Sequence, residues 1–383
     1  MLPKPESYKL DEGQFFEKTE EGWFLHSPSL NIKKVYIEPT NRCNIECITC
    51  VRNSWPGILG DMDMKLFGNI LSQLEQLPSV NEVILGGFGE PLLHPNILEM
   101  IEGLKNLGLK VKITTNAMLI EEDLAKDLVS LRVDDLMVSS DAISEEKFSE
   151  IRKRGDLKNI KNNIKRLNEI KKQEKTILPR IGIEFVMMKK NQNEIKELPS
   201  FAKELDAFSV LVTNLLPHTE DMAKEILYDS PLAPQEKPAQ APMIWPSPLK
   251  SFGTMGTVDF PRMKWGAYRR CRFVERKATV IGWDGRVAPC YSLLHSNRYL
   301  IFGREKNVTA HSFGNLNEDN LKNLWCSEEY TKFRNRVRLF MFPSCVDCNL
   351  GETCDYPKDN EDCWGNSPSC ADCLWAQDII RCP

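Results

Sequence analysis

A chain of 383 residues that is 42% hydrophobic can bury a sizeable core and is long enough for two units. Its formal net charge is only -4 and no basic stripe stands out, which argues against a nucleic-acid partner. No apolar run approaches the roughly 18 residues of a membrane helix, and the acidic, proline-broken start "MLPKPESYKLDEGQFFEKTE" lacks an apolar signal-peptide region, so a cytoplasmic protein without membrane contact is expected.

After an N-terminal extension (residues 1–32), apolar runs rich in β-branched residues recur at "KVYIEP", "EVILGG", "KVKITTN", "DLMVSSD", "RIGIEFVMM" and "AFSVLVTNLL". Between them lie amphipathic segments such as "MKLFGNILSQLEQL" and "HPNILEMIEGLKNLG", with apolar residues at helical spacing. The lysine-rich "NIKNNIKRLNEIKKQEK" (159–175) reads as the wet face of a helix. Strands alternating with helices imply parallel pairing through right-handed crossovers. Residues 33–216 are therefore predicted to form an α/β unit of six repeats, either a barrel or an open doubly wound sheet. In both, ligands collect at the carboxyl ends of the strands.

Thirteen cysteines are spread unevenly: three lie at 43–50, none over the next 220 residues, and ten between Cys271 and Cys382. A disulfide framework would not leave a domain-sized gap and an odd thiol, so the thiols are expected as metal ligands in a reducing compartment. Cys43, Cys47 and Cys50 follow the first strand, on a loop where a bound metal can face a substrate. A structural zinc site needs four protein ligands, and no fourth cysteine is near. Three thiolates on a cubane iron–sulfur cluster leave one iron open for chemistry.

The second strand ends in "GGFGEPLLHP". Glycines there let backbone groups approach a ligand closely, and the carboxylate of Glu90 can meet an ammonium group; by itself the stretch is equally a stiffened turn. Thr115 and Asn116 end the third strand, and Ser139, Ser140 and Asp141 end the fourth, as ligand contacts or as capping and turn residues. The proline-rich segment 217–270 breaks the pattern and reads as a connection or a lid over the barrel mouth. Its "MIWP" (243–246) is either a substrate contact or a tryptophan packed on the loop's own prolines.

Residues 271–383 hold the remaining ten cysteines. "CRFVERKATVIGWDGRVAPC" offers two strands joined by a "DG" turn, and Cys345, Cys348 and Cys354 follow a C-x2-C-x5-C spacing. This is a second metal-binding unit, with a zinc ribbon as the alternative because C-x2-C pairs also suit zinc. Cys326, alone in a helical stretch, reads as a small buried hydrophobe.

The C-x3-C-x2-C spacing after a first strand, followed by "GGFGEP", resembles the radical S-adenosylmethionine (SAM) superfamily. The resemblance covers residues 33 to about 216 and implies a partial (β/α)6 barrel. It also implies that Cys43, Cys47 and Cys50 hold a [4Fe–4S] cluster and that SAM chelates its fourth iron. SAM is then cleaved to a 5′-deoxyadenosyl radical that abstracts hydrogen from a substrate. Gly86, Gly87, Gly89 and Glu90 match the motif that binds the SAM amino group. Thr115, Asn116, Ser139 and Asp141 resemble positions that hold its carboxylate and ribose.

The tail resembles the SPASM extension of such enzymes, which carries two auxiliary [4Fe–4S] clusters. Gly285 and Cys290 have that extension's spacing. The resemblance implies Cys345, Cys348 and Cys354 on one cluster and Cys271, Cys290 and Cys363 on the other. The family's next cysteine is displaced to Cys363, and Cys370, Cys373 and Cys382 are further ligands not apportioned between the two. "VAPCYSLLHS", "DCWGN" and "CADCLWAQDIIRCP" look like the radical SAM maturases of tungsten-cofactor oxidoreductases. This implies a partner oxidoreductase or its pterin cofactor as substrate, and a ferredoxin or flavodoxin as electron donor. The alternatives are a SPASM enzyme that oxidises or crosslinks a peptide, and a non-catalytic iron–sulfur scaffold for electron transfer.

Overall fold

The computed structural model describes residues 10–11, 13–19, 22–230, 249–252, 256–351 and 353–382. The stretch 243–246, read as a substrate contact or a tryptophan packed on its own prolines, lies outside the described residues, as do the rest of 231–248 and 253–255 in the proline-rich segment.

The six apolar runs fold as strands β1 (Lys34–Ile37), β2 (Glu82–Leu85), β3 (Lys110–Thr115), β4 (Asp135–Ser139), β5 (Arg180–Met187) and β6 (Ala207–Asn214). They pair in parallel in chain order. The helices between them follow from their sequence. Met64–Glu75 starts where the Asp63 carboxylate accepts the Lys65 N–H, and it buries Leu66, Phe67, Ile70 and Leu74 along one stripe. Leu157–Gln173 is capped by Asp156, buries Leu157, Ile160, Ile164 and Leu167, and leaves Lys158, Lys165 and Lys172 exposed.

Alternation along the strands divides the two faces of the sheet. Val35, Ile37, Val83, Leu85, Val111, Ile113, Leu136 and Val138 are buried in one core with the helices, each contributing roughly 1.5–3 kcal/mol. On the other face a charge ladder crosses the amino ends of five neighbouring strands. Lys34–Glu82 (2.9 Å), Glu82–Lys112 (3.4 Å), Lys112–Asp135 (3.4 Å) and Asp135–Arg180 (2.6 Å) alternate in sign. A slip of one residue would turn these charges into the apolar core, so the ladder helps to set register.

Four more strands widen the sheet. β7 (Leu249–Phe252) pairs antiparallel with β8 (Gly256–Asp259), which lies parallel beside β6. At the opposite edge β9 (Ala278–Ile281) lies parallel beside β1 and turns back into β10 (Val287–Ala288). The order is β7-β8-β6-β5-β4-β3-β2-β1-β9-β10. Among the described residues the edge strands β7 and β10 do not meet, so the sheet is an open, partial barrel. The strand pair expected within a separate C-terminal unit thus continues the main sheet: all four residues of β9 are buried, and Val280 stands opposite Tyr36. Tyr36 and Ile84 of the inner face then pack with Phe273, Ala278, Val280, Ala288, Tyr291 and Leu294.

Two helices follow, Leu321–Cys326 and Glu328–Arg338. Trp325 Nε1 donates to the Ser29 carbonyl (2.9 Å), and Tyr330 donates to Thr279 Oγ1 (3.0 Å), which ties the N-terminal extension and the main sheet to these helices. Beyond Arg338 the regular structure among the described residues is two 3-10 turns, Cys345–Asp347 and Tyr356–Lys358. No helix among the described residues is long and apolar enough to cross a membrane.

Candidate radical and iron–sulfur site

The loop that leaves β1 carries Cys43, Cys47 and Cys50, and its own polar residues hold it. Asn41 donates through Nδ2 to the Ile58 carbonyl (3.0 Å) and accepts the Gly60 N–H (2.8 Å). Thr40 Oγ1 donates to the Gly60 carbonyl (3.0 Å) and accepts the Arg42 N–H (3.0 Å). Glu46–Cys47 pairs antiparallel with Arg152–Lys153, which sets Arg152 opposite Cys47. The buried Arg152 guanidinium grips Asp141 through two hydrogen bonds of 3.0 and 3.2 Å. Burial alone would weaken its charge; Asp141 first and the Cys47 thiolate second more than restore it.

Burial pushes the Cys47 thiol up to about 12 and raises Cys50 as well, with Arg152 and Arg52 respectively opposing it. Such thiols ionise when a metal supplies positive charge among them. The donor set fits an iron–sulfur cluster better than one zinc ion. Among the described residues no three cysteine, histidine or carboxylate groups converge on a point that a single ion fills, whereas each thiolate on a cubane takes an iron of its own.

The glycine motif is built against this loop. A Cβ on Gly89 would stand 2.2 Å from the Thr40 carbonyl oxygen and 2.6 Å from that of Arg42, and the next residue, Glu90, donates its N–H to Arg42 at 2.7 Å. Gly87, at φ +149°, leaves room for Glu38, whose Cγ a Cβ would approach to 2.8 Å. Gly86 lies beside Thr114, with a built Cβ at 3.2 Å from that residue's Cβ.

The buried Glu90 carboxylate accepts from Thr115 Oγ1 (2.8 Å), Leu92 N–H (3.1 Å) and Asn116 N–H (2.7 Å). Burial nonetheless raises it to about 7 against those bonds. Asn116 reaches the cysteine loop through Nδ2, 2.8 Å from Asn44 Oδ1 and 3.8 Å from Cys43 Sγ. Glu90, Thr115, Asn116 and Cys43 therefore form one connected site.

The fourth-strand residues divide. Asp141 joins the cysteine loop through Arg152 and also accepts the Val186 N–H (3.2 Å). Ser139 donates weakly to Glu184 Oε2 (3.4 Å), a carboxylate that burial raises to about 7. Ser140 bonds its own turn at the Ala142 carbonyl (2.9 Å). Sequence reasoning missed Arg152, Glu184 and a buried pair, Glu38 with His295 at 2.8 Å. Arg152 sits in an ordinary basic run, and the pair spans 257 residues, so no local pattern marks either.

The ten C-terminal cysteines fall into two sets of four and two single residues. Cys345, Cys348, Cys354 and Cys363 line one cavity of about 550 Å³, with Phe340, Phe342, Tyr356 and Trp364 as apolar walls. Cys271, Cys290, Cys370 and Cys373 form the other set. All four thiols are raised by burial; repulsion from Cys373 adds to this at the other three, and Cys271 adds further at Cys290 and Cys370. Arg269 lies between the sets, donating to the Ala371 carbonyl (3.1 Å) and sensing Cys373, Cys345 and Cys370.

This placement departs from the expected grouping of Cys363 with Cys271 and Cys290. The cause is the buried Asp362, whose carboxylate accepts the N–H groups of Trp364 (2.9 Å) and Asn366 (3.2 Å) and the Ser369 hydroxyl (2.5 Å). The resulting turn leaves Cys363 in the first set and brings Cys370 and Cys373 to the second. Cys382, also expected as a ligand, accepts from Trp375 Nε1 (3.1 Å) and lines a different cavity with Tyr36 and Arg272. Cys326 packs partly buried against the main core.

Comparisons with known proteins agree with this geometry. Residues 37–202 match the family described as the radical SAM superfamily, and residues 271–349 match SPASM, an iron–sulfur cluster-binding domain. The chain is 37% identical over 355 residues to the tungsten-containing aldehyde ferredoxin oxidoreductase cofactor-modifying protein of Pyrococcus furiosus, covering 92% of this chain and 97% of that protein. Among solved structures it resembles Streptococcus suis SuiB bound to its precursor peptide SuiA. That match has a TM-score of 0.57 and 18% identity, over 85% of this chain and 72% of SuiB. It also resembles anSMEcpe with bound AdoMet, with a TM-score of 0.54 and 15% identity over 90% of this chain and 95% of the other. These two likenesses are of fold. An enzyme of this family uses SAM and iron–sulfur clusters as cofactors, and this chain belongs to the radical SAM superfamily, in the group that joins the radical SAM domain to a C-terminal SPASM domain.

Proposed function

We propose that the chain modifies the cofactor of a tungsten-containing oxidoreductase by hydrogen abstraction, with the partner enzyme or its pterin as substrate. Cys43, Cys47 and Cys50 hold the SAM-binding cluster. Cys345, Cys348, Cys354 and Cys363 hold one auxiliary cluster, and Cys271, Cys290, Cys370 and Cys373 hold the other. When bound together, the first cluster and SAM supply a 5′-deoxyadenosyl radical that takes a hydrogen atom from the substrate. The chain's own residues do the rest. Glu90 receives the SAM ammonium group, Asn116 links that carboxylate to the cysteine loop, and Arg152 offers its charge beside Cys47. Gly86, Gly87 and Gly89 keep the backbone close, and Asp141 keeps Arg152 in place.

The observation that carries this reading is the continuous path of hydrogen bonds from Glu90 through Asn116 to Cys43, together with 37% identity over 92% of the chain to a protein named for this task. Thirteen free thiols suit a reducing cytoplasm, and a ferredoxin or flavodoxin is the electron donor that the chemistry asks for. The test is anaerobic. Reduced, reconstituted protein with SAM should release 5′-deoxyadenosine slowly even without substrate, and should restore activity to the immature oxidoreductase. The Cys43, Cys47 and Cys50 triple alanine variant should do neither. Equal SAM cleavage by variant and parent would move the radical site elsewhere.

A further inference from the structure

Glu38 follows β1 directly and is fully buried, and His295 lies five residues beyond Cys290. Their side chains meet at 2.8 Å, Glu38 Oε2 to His295 Nε2. The second carboxylate oxygen of Glu38 accepts the Phe88 N–H at 3.3 Å, inside the glycine motif. The imidazole lies against Trp55, with ring centroids 4.2 Å apart, and near Phe88 at 5.9 Å. Trp55 is five residues past Cys50. The pair thus stands at the carboxyl end of the sheet, between the cysteine loop, the glycine motif and the SPASM segment.

Its chemistry is directional. A carboxylate only accepts, so Nε2 of a neutral His295 carries the proton and Nδ1 keeps its lone pair. Among the described residues that Nδ1 has no hydrogen-bond partner, in a side chain that is 8% exposed. His94 behaves oppositely: Nε2 bonds the Met62 carbonyl (2.9 Å) and Nδ1 accepts the Asn96 N–H (3.2 Å). A base oriented by a third group and left bare on its far side is the arrangement of catalytic histidines. His94, by contrast, uses both nitrogens within the fold.

We infer that His295 is the proton acceptor for substrate at this site, with Glu38 as its positioning residue. The inference rests on the radical SAM reading of the cysteine loop. An O–H or N–H bond of the substrate breaks, its electron pair stays on the substrate, and the proton forms a bond to Nδ1. The resulting imidazolium is balanced by Glu38. The substrate therefore carries a hydroxyl or amine next to the reacting carbon. Titratable groups around it include Glu38 and, across Phe88, Tyr291, whose hydroxyl burial keeps protonated.

The experiment compares holoprotein with His295→Gln, His295→Gly and Glu38→Gln. All three should keep their iron and cleave SAM within about twofold of the parent without substrate. Maturation of the oxidoreductase should fall about 100-fold, the usual scale of lost acid–base catalysis. Added imidazole should restore His295→Gly. A second measurement needs no substrate: diethyl pyrocarbonate should acylate His295 and spare His94, as read by mass spectrometry. Full maturation by His295→Gln, loss of SAM cleavage together with maturation, or a His295 as inert as His94 would each overturn the assignment. If the parent itself matures nothing while His295 still reacts, the tungsten substrate is wrong and the base stands.

Discussion

The two cysteine regions are built on opposite terms. The loop with Cys43, Cys47 and Cys50 hangs from a sheet whose strands are buried among helices, and Thr40, Asn41 and Arg52 fix its backbone with protein hydrogen bonds alone. The stretch from residue 341 to 382 has two 3-10 turns as its regular structure among the described residues. Its few buried apolar side chains include Phe342, Val346, Leu374 and Ile379. With so little regular structure of its own, this stretch is held by packing Phe342, Val346, Leu374 and Ile379 into the main core, and bound metal would add to that hold. The comparison teaches that similar cysteine sets have different surroundings: the first hangs from a regular sheet, and the others lie in a stretch that little regular structure braces.

Breaking a tail ligand should have the largest effect. Cys348→Ala should lose about four iron and make residues 341–382 sensitive to protease, while dithionite-reduced protein still releases 5′-deoxyadenosine. If the variant keeps its iron and its maturation activity, Cys348 is no ligand. In the core, Arg152→Met strips Asp141 of its buried partner and should cost about 3–5 kcal/mol in denaturant unfolding, with the iron content of the tail unchanged. An unchanged midpoint would show that the pair is not structurally coupled.

Smaller still is the close approach of the glycine motif to the cysteine loop. Gly89→Ala, which drives a methyl group onto the Thr40 and Arg42 carbonyls, should cost about 1–3 kcal/mol and weaken SAM binding. Gly57→Ala, whose added methyl group meets nothing within 4 Å, is the control and should show little change. Equal effects of the two would remove the packing explanation for the motif.

The mildest effect is that of pH. In the protein without SAM, Glu90 sits near 7, above the ordinary 4.5 of a carboxyl group. A raised acid favours the folded state when protonated, so this contribution is present below about 4.5 and fades as pH rises through 7. SAM brings an ammonium group that needs the carboxylate, so its affinity should fall by up to about tenfold per unit below pH 7. Equilibrium binding from pH 6 to 8 should show that slope in the parent and a flat line in Glu90→Gln. A flat line in the parent would take Glu90 out of SAM recognition.

Much of the core was legible because its signals are local. Short apolar runs rich in β-branched residues mark β1 to β6, and the cysteine and glycine motifs fall at the ends of β1 and β2, where ligands collect. What escaped was set at long range. Ala278–Ile281 reads as a hairpin strand, but nothing in "ATVI" says that it pairs with Lys34–Ile37, some 240 residues earlier. Spacing identified the tail as metal-binding, yet the grouping of Cys363, Cys370 and Cys373 depends on a turn held by the single carboxylate of Asp362. The partnership of Glu38 with His295 is likewise a product of the folded sheet.

The central claim is that the cysteines sort into one open set of three and two closed sets of four, and counting iron and sulfide tests it most directly. Anaerobically reconstituted parent should hold about twelve of each, from three four-iron clusters. Alanine at Cys43, Cys47 and Cys50 together should leave about eight, as should alanine at Cys345, Cys348, Cys354 and Cys363 together. Alanine at Cys326 and Cys382 together should leave all twelve. Stoichiometric zinc without sulfide, or loss of iron on replacing Cys382, would contradict the account.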